Sequence, residues 1–197
     1  RDDFNGNGDI YASSLKNGTW SIPEAFPEPI NSEYHESTVS MSSDGNKLFF
    51  TSNRPGGHGG LDIWYTEKNK SGIWGEAKNL GANINSDQHE EGLFLHPNDK
   101  TLFFSSRRPG GFGGYDIYYT NYENGKWSTP ENLGEQINTN NDDVYFMLDI
   151  ANGQAFLSSL NQTIGNKELL SFGWNDALLS IEKSPKKSPI IKGRIDH

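Results

Sequence analysis

A self-similarity with an offset of 54 residues constrains this chain more than any other feature. The segment Leu48-Phe-Phe-Thr-Ser-Asn-Arg-Pro-Gly-Gly-His-Gly-Gly-Leu-Asp-Ile-Trp-Tyr65 returns as Leu102-Phe-Phe-Ser-Ser-Arg-Arg-Pro-Gly-Gly-Phe-Gly-Gly-Tyr-Asp-Ile-Tyr-Tyr119. Shorter echoes keep the register: Gly18-Thr-Trp20, Gly72-Ile-Trp74 and Gly125-Lys-Trp127, each followed by an Ile-Asn pair at Ile30-Asn31, Ile84-Asn85 and Ile137-Asn138. In the same register Arg1 aligns with Arg54 and Arg108, so the chain opens in the middle of a repeat. A decayed fourth copy follows, with Gln154-Ala-Phe-Leu-Ser-Ser159 matching Thr101-Leu-Phe-Phe-Ser-Ser106 and Lys167-Glu-Leu-Leu170 replacing Asp-Ile-Tyr. Such a unit cannot bury its apolar face alone, so its neighbours must supply the core.

Each repeat reads as four short strands. The expected strands of the first full copy are residues 38–41, Lys47–Ser52, 62–66 and 74–79. Ser43-Asp44-Gly45-Asn46 forms a tight turn and residues 53–61 a glycine-rich loop. The chain holds 22 Gly and 9 Pro, a density that excludes helical repeats. Four strands at a period near 50 residues predict an all-β chain of β-propeller type. Here the propeller is partial, with three to four four-stranded antiparallel blades of a larger ring, because three and a half blades cannot close one. The expected organisation is a propeller segment over 1–180 starting mid-blade, a basic Ser/Pro/Lys linker over 181–189, and the start of a β-sandwich over 190–197. The missing blades are expected before Arg1.

The net charge of −9 argues against nucleic acid as a partner. From residue 182 onward five basic residues face two acidic ones, a local +3, so the rest carries −12. That basic stretch reads as a solvated linker, with contact to a membrane surface or polyanion as the alternative. Cysteine is absent, which removes disulfides, zinc–thiolate sites and cysteine nucleophiles. No apolar run is long enough to span a bilayer, and no signal peptide is expected. The opening at Arg1, without a Met, reads as a processed or excised piece.

The string Arg-Pro-Gly-Gly-x-Gly-Gly-x-Asp-Ile, doubled here and preceded by Ser-Asp-Gly and Leu-Phe-Phe-Thr-Ser, resembles the WD-like β-propeller repeat related to that of TolB. It is most similar to the form found in OmpA-family cell-envelope proteins and large envelope lipoproteins. The resemblance covers roughly residues 1–175. Pro189-Ile-Ile-Lys-Gly-Arg-Ile-Asp196 is similar to the opening strand of a carboxypeptidase-regulatory-like β-sandwich. The resemblance implies a periplasmic, outer-membrane-associated setting and a non-enzymatic scaffold for protein partners of the envelope. It also implies a secretion or peptidoglycan-tethering assembly, with the peptidoglycan link made by a downstream domain.

Several residues are candidates for chemistry. Asp3, Asn5 and Asn7 stand where the first ligands of an EF-hand loop would stand, and Gly8 fits its turn; Ser14 replaces the bidentate Glu. A calcium site and a plain Asn/Gly turn are both open readings. The Pro55–Gly60 and Pro109–Gly114 loops lead into strands and bring no lysine, so they are not phosphate cradles. Asp62 and Asp116 are expected to cap those loops through backbone N–H groups. Arg54 and Arg108 obey the repeat and are expected to stack on an aromatic ring or pair with a carboxylate. The three Trp residues, Trp20, Trp74 and Trp127, are expected at equivalent, partly covered positions.

His35-Glu36 and His89-Glu90 recur ahead of each first strand, with Asp142-Asp143 nearby in the next copy. Glu36, Glu90, Asp142 and Asp143 either present a ring of charge to a basic partner or accept hydrogen bonds at the blade junction. No catalytic constellation is visible, and no cofactor is implied. The alternatives are a glycan- or small-ligand-binding propeller using the channel mouth, and a propeller hydrolase or lyase, whose catalytic residues would have to break the repeat.

Overall fold

A computed structural model describes residues 8–161 and 166–175. Those residues are all-β, without a helix, and fold into antiparallel sheets of two to five strands, all of them open. Asp3, Asn5, Asn7, the linker and the segment 190–197 lie outside the described residues. Among the described residues no helix is long and apolar enough to cross a membrane.

The first copy contributes four two-residue strands, β1 (Tyr11–Ala12), β2 (Leu15–Lys16), β3 (Thr19–Trp20) and β4 (Glu24–Ala25); β1 pairs with β4 and β2 with β3. The second copy is a four-stranded meander of β5 (Glu36–Met41), β6 (Lys47–Ser52), β7 (Asp62–Glu67) and β8 (Lys78–Asn79). The third repeats it with β9 (Glu90–Leu95), β10 (Thr101–Ser106) and β11 (Asp116–Glu123). It adds β12 (Lys126–Trp127) and β13 (Glu131–Asn132), both paired with β11. The fourth has three long strands, β14 (Asp142–Asp149), β15 (Gln154–Asn161) and β16 (Asn166–Gly173). The expected last strand over 74–79 shrinks to Lys78–Asn79, and Trp74 joins the preceding strand only through an isolated bridge to Lys68.

The second strand of each sheet shows why the repeats stack. Alternate side chains of a strand point to opposite faces, and here both faces are apolar. Leu48 and Phe50 pack back onto Ile10 and Ile30 of the first copy, while Phe49 packs forward onto Leu93, Leu95 and Leu102 of the third. One repeat later, Leu102 and Phe104 face back and Phe103 faces forward onto Phe146, Ala155 and Leu157. The three cores therefore lie between sheets. Adjacent sheets meet most closely at their first strands, β5 with β9 and β9 with β14.

Those first strands share a bulge, with register shifts against their partners between Glu36 and Val39, Phe103 and Ser105, and Val144 and Met147. Gly92 sits in the bulge of β9 at φ +61°, and Tyr145 takes the same place in β14 at φ +57°. A non-glycine residue seldom adopts that conformation.

At the two ends of the stack, faces that are buried inside are open. Met147, Phe156 and Leu169 stand on the outer face of the fourth sheet, where the third has Phe94, Phe103 and Ile117. Met147 is 53% and Leu169 50% exposed, whereas Ile117 is fully covered. The three Trp residues take equivalent cross-strand places, opposite Leu15, Lys68 and Tyr122. Their expected cover is found only twice. Trp74 meets Phe26 edge-on and Trp127 meets Phe49, each an aromatic of the preceding copy, but Trp20 is 66% exposed. Among the described residues no earlier copy stands against it.

Candidate functional site

The acidic residues ahead of each first strand are buried, with Glu36 2% exposed and Glu90 and Asp143 fully covered. The Ser32 N–H donates to Glu36 Oε2 at 2.9 Å, and the hydroxyls of Ser32 and Ser52 donate to Oε1 at 2.7 and 2.8 Å. Arg54 Nη2 donates to the same oxygen at 2.8 Å and to the Ile30 carbonyl at 2.6 Å. Its guanidinium carbon lies 4.8 Å from the centre of the Phe50 ring and 5.5 Å from that of Trp64. The third copy repeats the arrangement: Ser86 and Ser106 donate to Glu90, and Arg108 donates to the Ile84 carbonyl and, at 3.4 Å, to Glu90. Arg108 stacks on Phe104 and Tyr118. Burial lowers its pKa, which the Glu90 charge opposes. These carboxylates are thus internal acceptors, and the side chains of Glu36, Glu90 and Asp143 are buried.

The fourth copy lacks the cation. Asn161 holds the sequence place of Arg54 and Arg108. Asp143 accepts from the Thr139 N–H at 2.5 Å and from its hydroxyl at 3.2 Å. Burial pushes its pKa up, against those hydrogen bonds.

The neighbouring position forms a second link between copies. His35 Nδ1 accepts from the Gly8 N–H at 2.7 Å, His89 Nδ1 from the Leu61 N–H at 3.2 Å, and Asp142 Oδ1 from the Tyr115 N–H at 2.9 Å. Arg107 approaches Asp142 at 3.5 Å and lies 4.4 Å from the centre of the Tyr115 ring. The Ile-Asn pairs brace each copy internally, a role sequence reasoning did not find. Asn31, Asn85 and Asn138 each accept from the N–H, and donate to the C=O, of Ile10, Ile63 and Ile117 respectively, at 2.7 to 3.0 Å. A side-chain amide carries one donor end and one acceptor end, so it completes a ladder where no strand does.

The glycine-rich loops are held from below by Asp62 and Asp116. Asp62 accepts from His58 N–H and Gly59 N–H at 2.5 and 2.9 Å; Asp116 accepts from Phe112 N–H and Gly113 N–H at 2.6 and 3.1 Å. A β-carbon on Gly59 would lie 2.1 Å from the Gln88 carbonyl, and one on Gly113 2.0 Å from that of Asn141, so only glycine passes there. His58 and Phe112, both exposed, occupy the same place on the two loops. Their frame is repeated and their tips differ.

A groove of about 680 Å³ opens between the second and third sheets, beside Lys47, Tyr65, Glu67, Asn83, Tyr122 and Trp127. It joins residues far apart in sequence, and no motif marked it. Near the equivalent place in the third sheet, Tyr119 donates to Glu131 at 3.1 Å, and burial with that carboxylate pushes its pKa up to about 12. Among the described residues no three His, Asp or Glu side chains converge as a metal site.

Compared with protein-family models the chain matches none, and no curated protein matches it.

Proposed function

We propose that the chain is a segment of a β-propeller that acts as a non-enzymatic scaffold. In this reading it belongs to an outer-membrane-associated, periplasm-facing assembly of secretion or peptidoglycan-tethering kind. Stacked repeat sheets, closest at their first strands, support the propeller, because such sheets fan out around an axis. The faces of Met147, Phe156 and Leu169 at one end and of Trp20 at the other are seats for further copies of the repeat. The envelope setting rests on the resemblance of the doubled Arg-Pro-Gly-Gly-x-Gly-Gly-x-Asp-Ile string.

The observation that carries the scaffold reading is a repeated frame under a changing tip. Asp62 and Asp116 fix their loops alike, yet one loop presents His58 and the other Phe112. Phe112 is 49% exposed although nothing in the frame requires an aromatic there. Large rings held rigidly at a surface are good anchors, since little side-chain freedom is lost on contact. The prominent charged residues of the repeat are consumed by its own packing, which leaves the tips to carry recognition.

The test is a photo-reactive phenylalanine analogue at position 112, and separately at 58, in cells producing the natural gene product. A discrete cross-linked protein in the outer-membrane fraction, lost with an analogue at Lys16 on the far hairpin, supports the reading. No cross-link at either tip overturns it.

A further inference from the structure

We propose that the groove between the second and third sheets binds a neutral oligosaccharide. This stands apart from the scaffold reading, since Lys47, Asn83 and Tyr122 stand at places where the repeat is broken.

The groove has the two elements that sugar recognition requires, which are flat apolar rings for the C–H faces and amides or hydroxyls for the O–H groups. Tyr122 and Trp127 stand at its wall with ring centres 5.1 Å apart and planes inclined by 56°. Tyr122 is exposed and Trp127 half-buried, so both retain open surface. Trp127 rests edge-on against Phe49, 5.7 Å away, which holds the indole in place. Lys47 stands between the two sheets, 5.5 Å from the Tyr65 ring centre and 5.7 Å from that of Tyr122, and pairs with Glu67 at 2.6 Å.

Asn83 bridges the two sheets. Its Nδ2 donates to the Trp127 carbonyl at 3.1 Å, and its Oδ1 accepts from the Thr129 hydroxyl at 3.2 Å. An amide carries two donor hydrogens and two acceptor lone pairs, so this exposed side chain keeps one of each for a ligand.

Electrostatics select a neutral ligand. The Lys47 ammonium is matched by Glu67 inside the groove. A smaller cavity of about 320 Å³ shares Lys47 and is lined also by Lys68, Asp44 and Asp99. Over both cavities three lysines, counting Lys126, face three carboxylates.

Symmetry shows that this space is not a by-product of stacking. The third and fourth sheets meet in the same way, but there Trp174 holds the register place of Tyr122 and turns inward, 5.9 Å from Phe103 and 5.3 Å from Phe146. Thr101, buried, replaces Lys47. The junction of the second and third sheets thus combines an outward ring with a charged pair, which that of the third and fourth lacks at these places.

Calorimetric titration of the chain with cellohexaose, chitohexaose, xylohexaose and maltohexaose to millimolar concentration tests the proposal. At least one should bind saturably. Tyr122→Ala should weaken that binding about tenfold, the loss of one stacked ring, with the melting temperature kept, while Trp20→Ala outside the groove should leave it unchanged. Should Tyr122→Ala fail to fold, Asn83→Ala gives the same readout. Binding of none of the four, binding indifferent to both groove variants, or Tyr122-dependent binding of extended peptides without any saccharide overturns the proposal.

Discussion

Arg54 Nη2 lies 2.8 Å from Glu36 Oε1, and the same arginine reaches back to the carbonyls of Pro29 and Ile30, so one buried ion pair ties the end of β6 to the segment entering β5. Removing one partner of a buried pair leaves the other charge uncompensated, which costs about 3–5 kcal/mol. Arg54→Met should therefore lower the free energy of unfolding by that order, and adding Glu36→Gln should restore part of it. Urea denaturation of both singles and the double reads this coupling. Additive losses below about 1 kcal/mol would mark the pair as a solvated one and return Glu36 to a display role.

Gly92 is closely enclosed in the bulge of β9. A β-carbon there would lie 2.8 Å from Ser105 Oγ and 2.9 Å from the Tyr145 backbone nitrogen, at φ +61°. Gly92→Ala should destabilise by about 1–3 kcal/mol. Gly173→Ala, where no atom lies within 4 Å and φ is not positive, should be nearly neutral. Equal effects of the two variants in thermal melts would contradict the bulge geometry.

Asp143 should make the fourth sheet prefer acid. Burial raises its pKa above the ordinary 3.8, so folding favours the protonated form. That contribution is fully present below the unfolded value and is lost as pH rises through the raised, folded one. Asp143→Asn should flatten the stability profile above the ordinary carboxylate value and raise stability at neutral pH. Denaturation across that range checks it; a variant weaker at neutral pH with an unchanged slope contradicts it.

The three tryptophans should part company in mutagenesis. Trp127→Ala removes a ring packed on Phe49 and should cost about 2 kcal/mol, given its half-burial. Trp20→Ala should change stability little in this chain, because its indole is mostly exposed. A comparable drop in melting midpoint for both would mean that Trp20 is covered.

Local pattern made β6 and β10 readable, because Leu48-Phe-Phe and Leu102-Phe-Phe are unbroken apolar runs with both faces buried. The loop caps were readable for the same reason, since Asp62 lies only three and four residues from the N–H groups it accepts. The Asn85 link was not, because it acts on Ile63, 22 residues earlier, through a contact that no periodicity records. That Glu36 is the carboxylate Arg54 meets was not visible either, since the two stand 18 residues apart and come together only when the chain folds back. The groove needed both Lys47 and Tyr122, which only the stacking of two sheets brings within reach. Exposure of Trp20 depends on what stands before it in space, a property that repetition at a fixed position does not encode.

The propeller account is tested most directly by an electron cryomicroscopy map of the natural gene product that carries this segment. The account predicts a closed ring of repeat sheets in which β5, β9 and β14 line a central channel and both Trp20 and Phe156 are covered by neighbouring sheets. An open or helical stack, with those two faces exposed to solvent, would contradict it.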